Sequence, residues 1–165
     1  MAAANQLPLA QQPGFASKLR RFLDQRRDPN VALRIVDFTP VFLDVAVSVD
    51  IDDRFPRQAT LASAQAALSP LPNADGSFGF FAFQNLGFGQ SIHLSSIYAA
   101  LLRLPGILAA NITTLRRAGA AAGAPNVEDT IFIRPTEIAA IVTDPSLTGQ
   151  GSLSVNLGQG GFTDQ

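Results

Sequence analysis

The chain has 165 residues, 12 Lys+Arg against 13 Asp+Glu, one histidine and no cysteine. That length supports one domain with a real core. The composition excludes disulfides, thiolate metal sites, cysteine nucleophiles and a His-rich zinc centre, and near-zero net charge argues against a general nucleic-acid binder. Hydrophobic residues reach 47% while charged ones stay at 15%, where about a quarter is usual for a soluble domain. Two readings of that shortage stand side by side: surface covered by a partner, or simply abundant alanine.

Residues 1–14 are Ala, Gln and Pro-rich without period, and are expected to form a flexible leader with no export signal. Phe15, Leu19, Phe22 and Leu23 then fall on one helical face, with Lys18, Arg20, Arg21, Arg26 and Arg27 around the rest. Asp28-Pro29-Asn30 ends that helix. A short strand is expected over Val31–Phe38, with Thr39-Pro40 as a bend or edge position. From Val41 to Ile51 every odd residue is aliphatic, which predicts a long strand with one buried face, as in an antiparallel sheet. Asp52-Asp53 closes it. Pro56 suits the first turn of a helix that carries Leu61, Ala64 and Leu68, and Pro70 and Pro72 stop that helix before the turn Asn73–Gly76.

Residues 76–92 hold five phenylalanines and four glycines, read as a hairpin or an ordered aromatic loop. A third helix carries Leu94, Ile97, Tyr98, Leu101 and Leu104, with Ser91 as expected N-cap and Pro105-Gly106 as the stop. Ile107–Arg117 and Val127–Arg134 read as the two strands of a hairpin with a small-residue tip over 118–125, and Glu137–Val142 continues it. From Thr143 the chain turns Gly, Ser and Gln-rich. Residues 143–165 are expected to be an extended tail ordered by a neighbour. The predicted class is α+β: a mainly antiparallel sheet with two helices packed on one face, plus an N-terminal helix and extended tails. No membrane insertion is expected, since no stretch approaches the ~20 apolar residues a spanning helix needs.

Candidate chemistry is sparse. His93 lies beside Ser91, Ser95 and Ser96, but sequence neighbours at a helix start read better as cap-region residues than as a triad. Asp50, Asp52 and Asp53 lack the glycine turn and bidentate glutamate of a calcium loop, and read as a solvated strand end. Gly87-Phe88-Gly89-Gln90-Ser91 before a helix lacks both the Gly-Lys-Ser/Thr of a phosphate loop and the third glycine of a dinucleotide fingerprint. No catalytic, cofactor or metal residue is therefore assigned. The phenylalanine run reads first as core, with an aromatic platform or an interface plug as alternatives. Eleven of the 12 cations are arginine, a residue that favours fixed, bidentate protein contacts. The candidate interface set is Arg20, Arg21, Arg26, Arg27, Arg116, Arg117 and Phe88.

In order, the segments resemble a known family. Leu19-Arg20-Arg21-Phe22-Leu23-Asp24-Gln25-Arg26-Arg27 precedes the Pro40–Val49 strand; Phe88-Gly89-Gln90-Ser91-Ile92 turns into a Leu94-Ser95-Ser96-Ile97-Tyr98 helix; that helix exits at Leu104-Pro105-Gly106-Ile107; and the run ends at Ile133-Arg134-Pro135-Thr136-Glu137-Ile138. Over residues 15–142 this is similar to the C-terminal part of baseplate J-like proteins, baseplate wedge components of contractile phage tails and related injection systems. The resemblance implies a non-enzymatic structural subunit without a cofactor. Its implied partners are other wedge proteins and further copies of itself, in a multi-subunit ring around the central hub. The implied location is the baseplate of a phage virion or injection particle, assembled in the bacterial cytoplasm. Family members carry a substantial region before this one, whereas the leader here is short; a fragment, a split gene product or a reduced version would each account for that. The competing reading is a small α+β ligand-binding or enzymatic domain with the Phe/Gly segment as a pocket wall.

Overall fold

The computed structural model describes residues 14–28, 30, 32, 35, 37–121, 123–141 and 151–158. The chain divides into two units, residues 1–39 and residues 40–165.

The first unit contributes helix α1 (Phe15–Asp24). Gly14 stands at its N-cap in the left-handed region and offers no side-chain cap. None of the helix residues is buried, and Phe22 is 52% exposed. The leader 1–13 lies outside the described residues, as do Val31, Leu33, Arg34 and Val36 of the strand expected over 31–38; Asp37 and Phe38 are not in a strand.

The second unit is built on strand β1 (Thr39–Ile51). Val41, Leu43, Val45, Val47 and Val49 are all buried, while Phe42, Asp44, Ala46, Ser48 and Asp50 between them stay partly open. Burying each aliphatic side chain contributes about 1.5–3 kcal/mol relative to leaving it exposed. Thr39-Pro40 does not form a bend but belongs to β1 itself, at a strand start where a missing N–H is tolerated.

The chain then forms α2 (Arg57–Leu68), β2 (Ile92–His93), α3 (Leu94–Leu102), β3 (Ile107–Arg117), β4 (Thr130–Ile131), β5 (Glu137–Ala140) and β6 (Ser152–Leu157). β1 is central: it pairs antiparallel with β3, it also pairs with β5, and β6 runs parallel to it. α2 and α3 pack on each other, α3 against β3 and α2 against β6. Thr60, Ala64 and Leu68 of α2 and Ile97 and Leu101 of α3 are buried in these contacts. The class is therefore α+β, with mostly antiparallel strands and both helices on one face.

Three expectations need correction. The hairpin expected between 107–117 and 127–134 does not form. Leu115 N–H donates to Asn126 O and Glu128 N–H to Leu115 O, so residues 126–128 pass β3 in a parallel sense. β4 instead pairs antiparallel with β2, and Glu137–Ala140 joins β1 rather than extending a hairpin. The tail expected to need a neighbour supplies β6, ordered by β1 of the same chain; Gly151 opens it at φ +80°, and a Cβ there would collide with Leu43 O. Residues 142–150 and 159–165 lie outside the described residues.

The Phe/Gly segment is a series of turns rather than a hairpin, held by a bridge between Pro72 and Phe78, by the Phe80 N–H on Ala67 O and by the Asn85 amide, which donates to Phe78 O and Gly79 O. Phe81 enters the core with its ring edge-on to Phe80 at 4.9 Å. Phe78 and Phe88 remain exposed.

Candidate protein interface

The arginines singled out by the sequence lie in both units. On α1, Arg26 folds back over Phe22, with the guanidinium carbon 3.9 Å from the ring centroid. Such a contact contributes about 0.5–1 kcal/mol at an exposed site. Arg27, just past the helix, pairs with Asp24 at 2.6 Å. Arg20 and Arg21 line a shallow open depression with Ser17, Asp24 and Gln25. The helix thus presents an apolar stripe of Phe15, Leu19, Phe22 and Leu23 flanked by cations.

Arg116 and Arg117 end β3, and adjacency on a strand sends them to opposite faces. Arg116 lies opposite Asp44. Its Nη1 donates to Asn126 Oδ1 at 3.2 Å, but its Nε is 3.9 Å from the Asp44 carboxylate and has no hydrogen-bond partner among the described residues. At that distance the pair is Coulombic rather than hydrogen-bonded.

Arg117 lies opposite Leu43 and turns to Glu137. Glu137 is not among the residues the sequence singles out, yet it is the centre of the arrangement. It is 9% exposed, and its Oε2 accepts from the Arg134 N–H at 2.9 Å. Arg117 Nη2 stands 3.7 Å from Oε2 and Arg134 Nη1 3.8 Å from Oε1. Its backbone is engaged as well: the N–H donates to Arg134 O, and the carbonyl accepts from Gly89 N–H at 3.0 Å. A desolvated carboxylate needs such partners, because burial without them is costly. Arg117 also donates to Phe132 O.

One acid therefore ties the end of β3, the 87–90 turn and the 131–137 segment together. Gly89 is required in that turn: its φ is +68°, and a Cβ would come within 3.1 Å of Pro135 Cα. Two rings stand out from the same connected segments. Phe132 is 75% exposed between buried Ile131 and Ile133, and Phe88 is 46% exposed. Exposed phenylalanine beside arginine has the composition of a protein-contact surface.

Ser91 does not cap α3. Its Oγ accepts from Ile133 N–H at 3.4 Å, and His93 takes the N-cap position without a side-chain bond to the helix. His93 is exposed, with Nδ1 3.1 Å from Thr130 Oγ1. In the 87–91 turn, Gln90 Oε1 accepts from Gly87 N–H, so the loop satisfies its own donor. Asp52 and Asp53 are each held by an arginine, Arg54 and Arg57. Hydrogen bonds from the Arg54 side chain and N–H hold the Asp52 carboxyl down at about 2. No described helix is long and apolar enough to cross a membrane.

No family model matches the chain, and no curated protein matches it in sequence.

Proposed function

We propose that this chain is a structural subunit of the baseplate of a contractile tail or injection system, assembling with other wedge components around the central hub. The reading starts from the ordered resemblance over residues 15–142. The single observation that carries it is α1: a ten-residue helix with an apolar stripe, five cations on and just after it, and no buried residue. Isolated helices of that length are marginal in water. A protein partner that takes the stripe supplies what the helix lacks. The Phe132, Arg117 and Arg134 cluster adds a second contact surface on the other unit. On this reading the α+β unit is a rigid block that needs no chemistry, and its partners are wedge proteins and further copies of itself.

Co-expression with the products of neighbouring sheath, tube and spike genes tests the proposal. Co-elution with a tail component is expected, and it should be lost when Phe15, Leu19 and Phe22 are all changed to serine. Absence of association with any tail component would overturn the reading.

A further inference from the structure

The two long edges of the larger sheet are unlike. β3 carries register shifts at Ala46/Val47 and Asp50/Ile51 of its pairing with β1, ends in Arg116 and Arg117, and is bridged at Leu115 by Val127. Bulges and charges are the usual devices against edge-to-edge association. β6 has none of them. Its six residues, Ser152–Leu157, contain no charge and no proline, and its register with β1 is unbroken. Among the described residues β6 pairs with β1 alone.

The direction of its free groups follows from two bonds. Gly158 N–H donates to Val49 O, so even-numbered residues of β6 turn their backbone groups to β1. Those of Leu153, Val155 and Leu157 turn outward, and Gln65 Nε2 reaches the outward Val155 O at 3.3 Å. These three residues are the apolar positions of the strand and are symmetric about Val155.

We propose that β6 pairs antiparallel with β6 of a second copy, about a two-fold axis at Val155, to continue the sheet across a homodimer. This register sets Val155 opposite its mate and Leu153 opposite the mate's Leu157. Both are hydrogen-bonded pairs, so the outward N–H and C=O of all three residues find partners. No like charges meet, because the strand carries none. The two-fold stands perpendicular to the sheet and brings the two copies' α2 helices together on one face. The α2 row containing Gln65 is Gln58, Leu61, Ala62 and Gln65, without charge and apolar at its centre. The Gln65 amide leaves the strand edge to admit the second strand. This dimer stands whether or not the chain serves a baseplate.

Cysteine pairing tests the register. Ser154 and Asn156 are exposed and fall opposite each other across the axis as non-hydrogen-bonded pairs, with Cα atoms about 4.5 Å apart, inside the range a disulfide spans. The native chain has no cysteine. The oxidised double variant S154C/N156C should run as a covalent dimer at twice 17.4 kDa, while S154C alone should not cross-link, since its own mate lies two residues out of register. In sedimentation equilibrium the native chain should be dimeric, and S154K/N156K monomeric with an unchanged far-ultraviolet circular dichroism spectrum. A monomeric native chain, a dimer that survives the two lysines, or equal cross-linking by S154C alone would each overturn the proposal.

Discussion

Helices α1 and α3 have ten and nine residues and each carries an apolar stripe, yet their circumstances are opposite. Ile97 and Leu101 of α3 are fully buried against the sheet and α2, while α1 buries nothing. Periodicity dictates that a stretch is helical when its stripe is covered; it does not say by what. For α3 the cover is in the same chain. For α1 the amphipathic pattern is as clean, and the tertiary term that stabilises most protein helices is missing from the described residues. The contrast separates the residues of α3, which hold the fold, from those of α1, which meet a partner only on the proposed reading.

The largest effect should come from breaking the covered helix. Leu101→Ala leaves a cavity at a fully buried position and should cost about 2–5 kcal/mol in urea unfolding. Arg117→Ala comes next. It leaves the Glu137 carboxylate with Arg134 as its remaining cation, and should lower stability by about 1–2 kcal/mol, reduced by the partial exposure of Arg117. Changing Leu19 and Phe22 of α1 to serine should shift the same unfolding curve by under ~0.5 kcal/mol while abolishing co-elution with a tail component. A comparable loss of stability would show that α1 belongs to the folding core after all. A synthetic peptide of residues 14–28 should show little helix by circular dichroism in water, and strong helicity there would remove the need for a partner.

The smallest effect concerns an exposed pair in the covered unit. The Asp52 carboxyl is depressed from 3.8 to about 2 by Arg54. Its contribution is therefore present above pH 3.8 and lost as the pH falls towards 2. Asp52→Asn should remove that pH dependence, lowering the melting temperature slightly at neutral pH and leaving it unchanged near pH 2.

How far the sequence could be read differs from element to element for physical reasons. β1 is legible because a central strand buried on one face writes period two into every residue from Val41 to Ile51. α3 is legible by its stripe, and α2 by its prolines and alanines. β6 is hidden although Leu153, Val155 and Leu157 alternate, because Gly, Ser and Gln around them read as unstructured composition. The 127–134 segment carries strand-forming residues, but what it pairs with is decided by Leu115 and β2, which are distant in sequence. Within the candidate interface, Arg116, Arg117 and Phe88 are legible as residue types. Glu137, which links Arg117 to the Phe88 turn, is not. Its signal is faint: one of two glutamates in the chain, three residues after an arginine and followed by Ile-Ala-Ala. Nothing local marks it as buried, because its partners come from β3 and the 87–90 turn.

The pairing of β1 with β6 also sets an order of events during synthesis. Asp44 Oδ1 accepts from the hydroxyl of Ser152, 108 residues later. At ribosomal rates of about 5–20 residues per second, one side of β1 waits roughly 5–20 s for this strand to emerge. Its aliphatic row and unpaired backbone groups are complete long before their last cover exists. The nascent chain therefore passes through a stage in which its most hydrophobic strand offers an open flank, and the interval in which a chaperone or a premature encounter with another chain matters ends when residues 152–157 arrive.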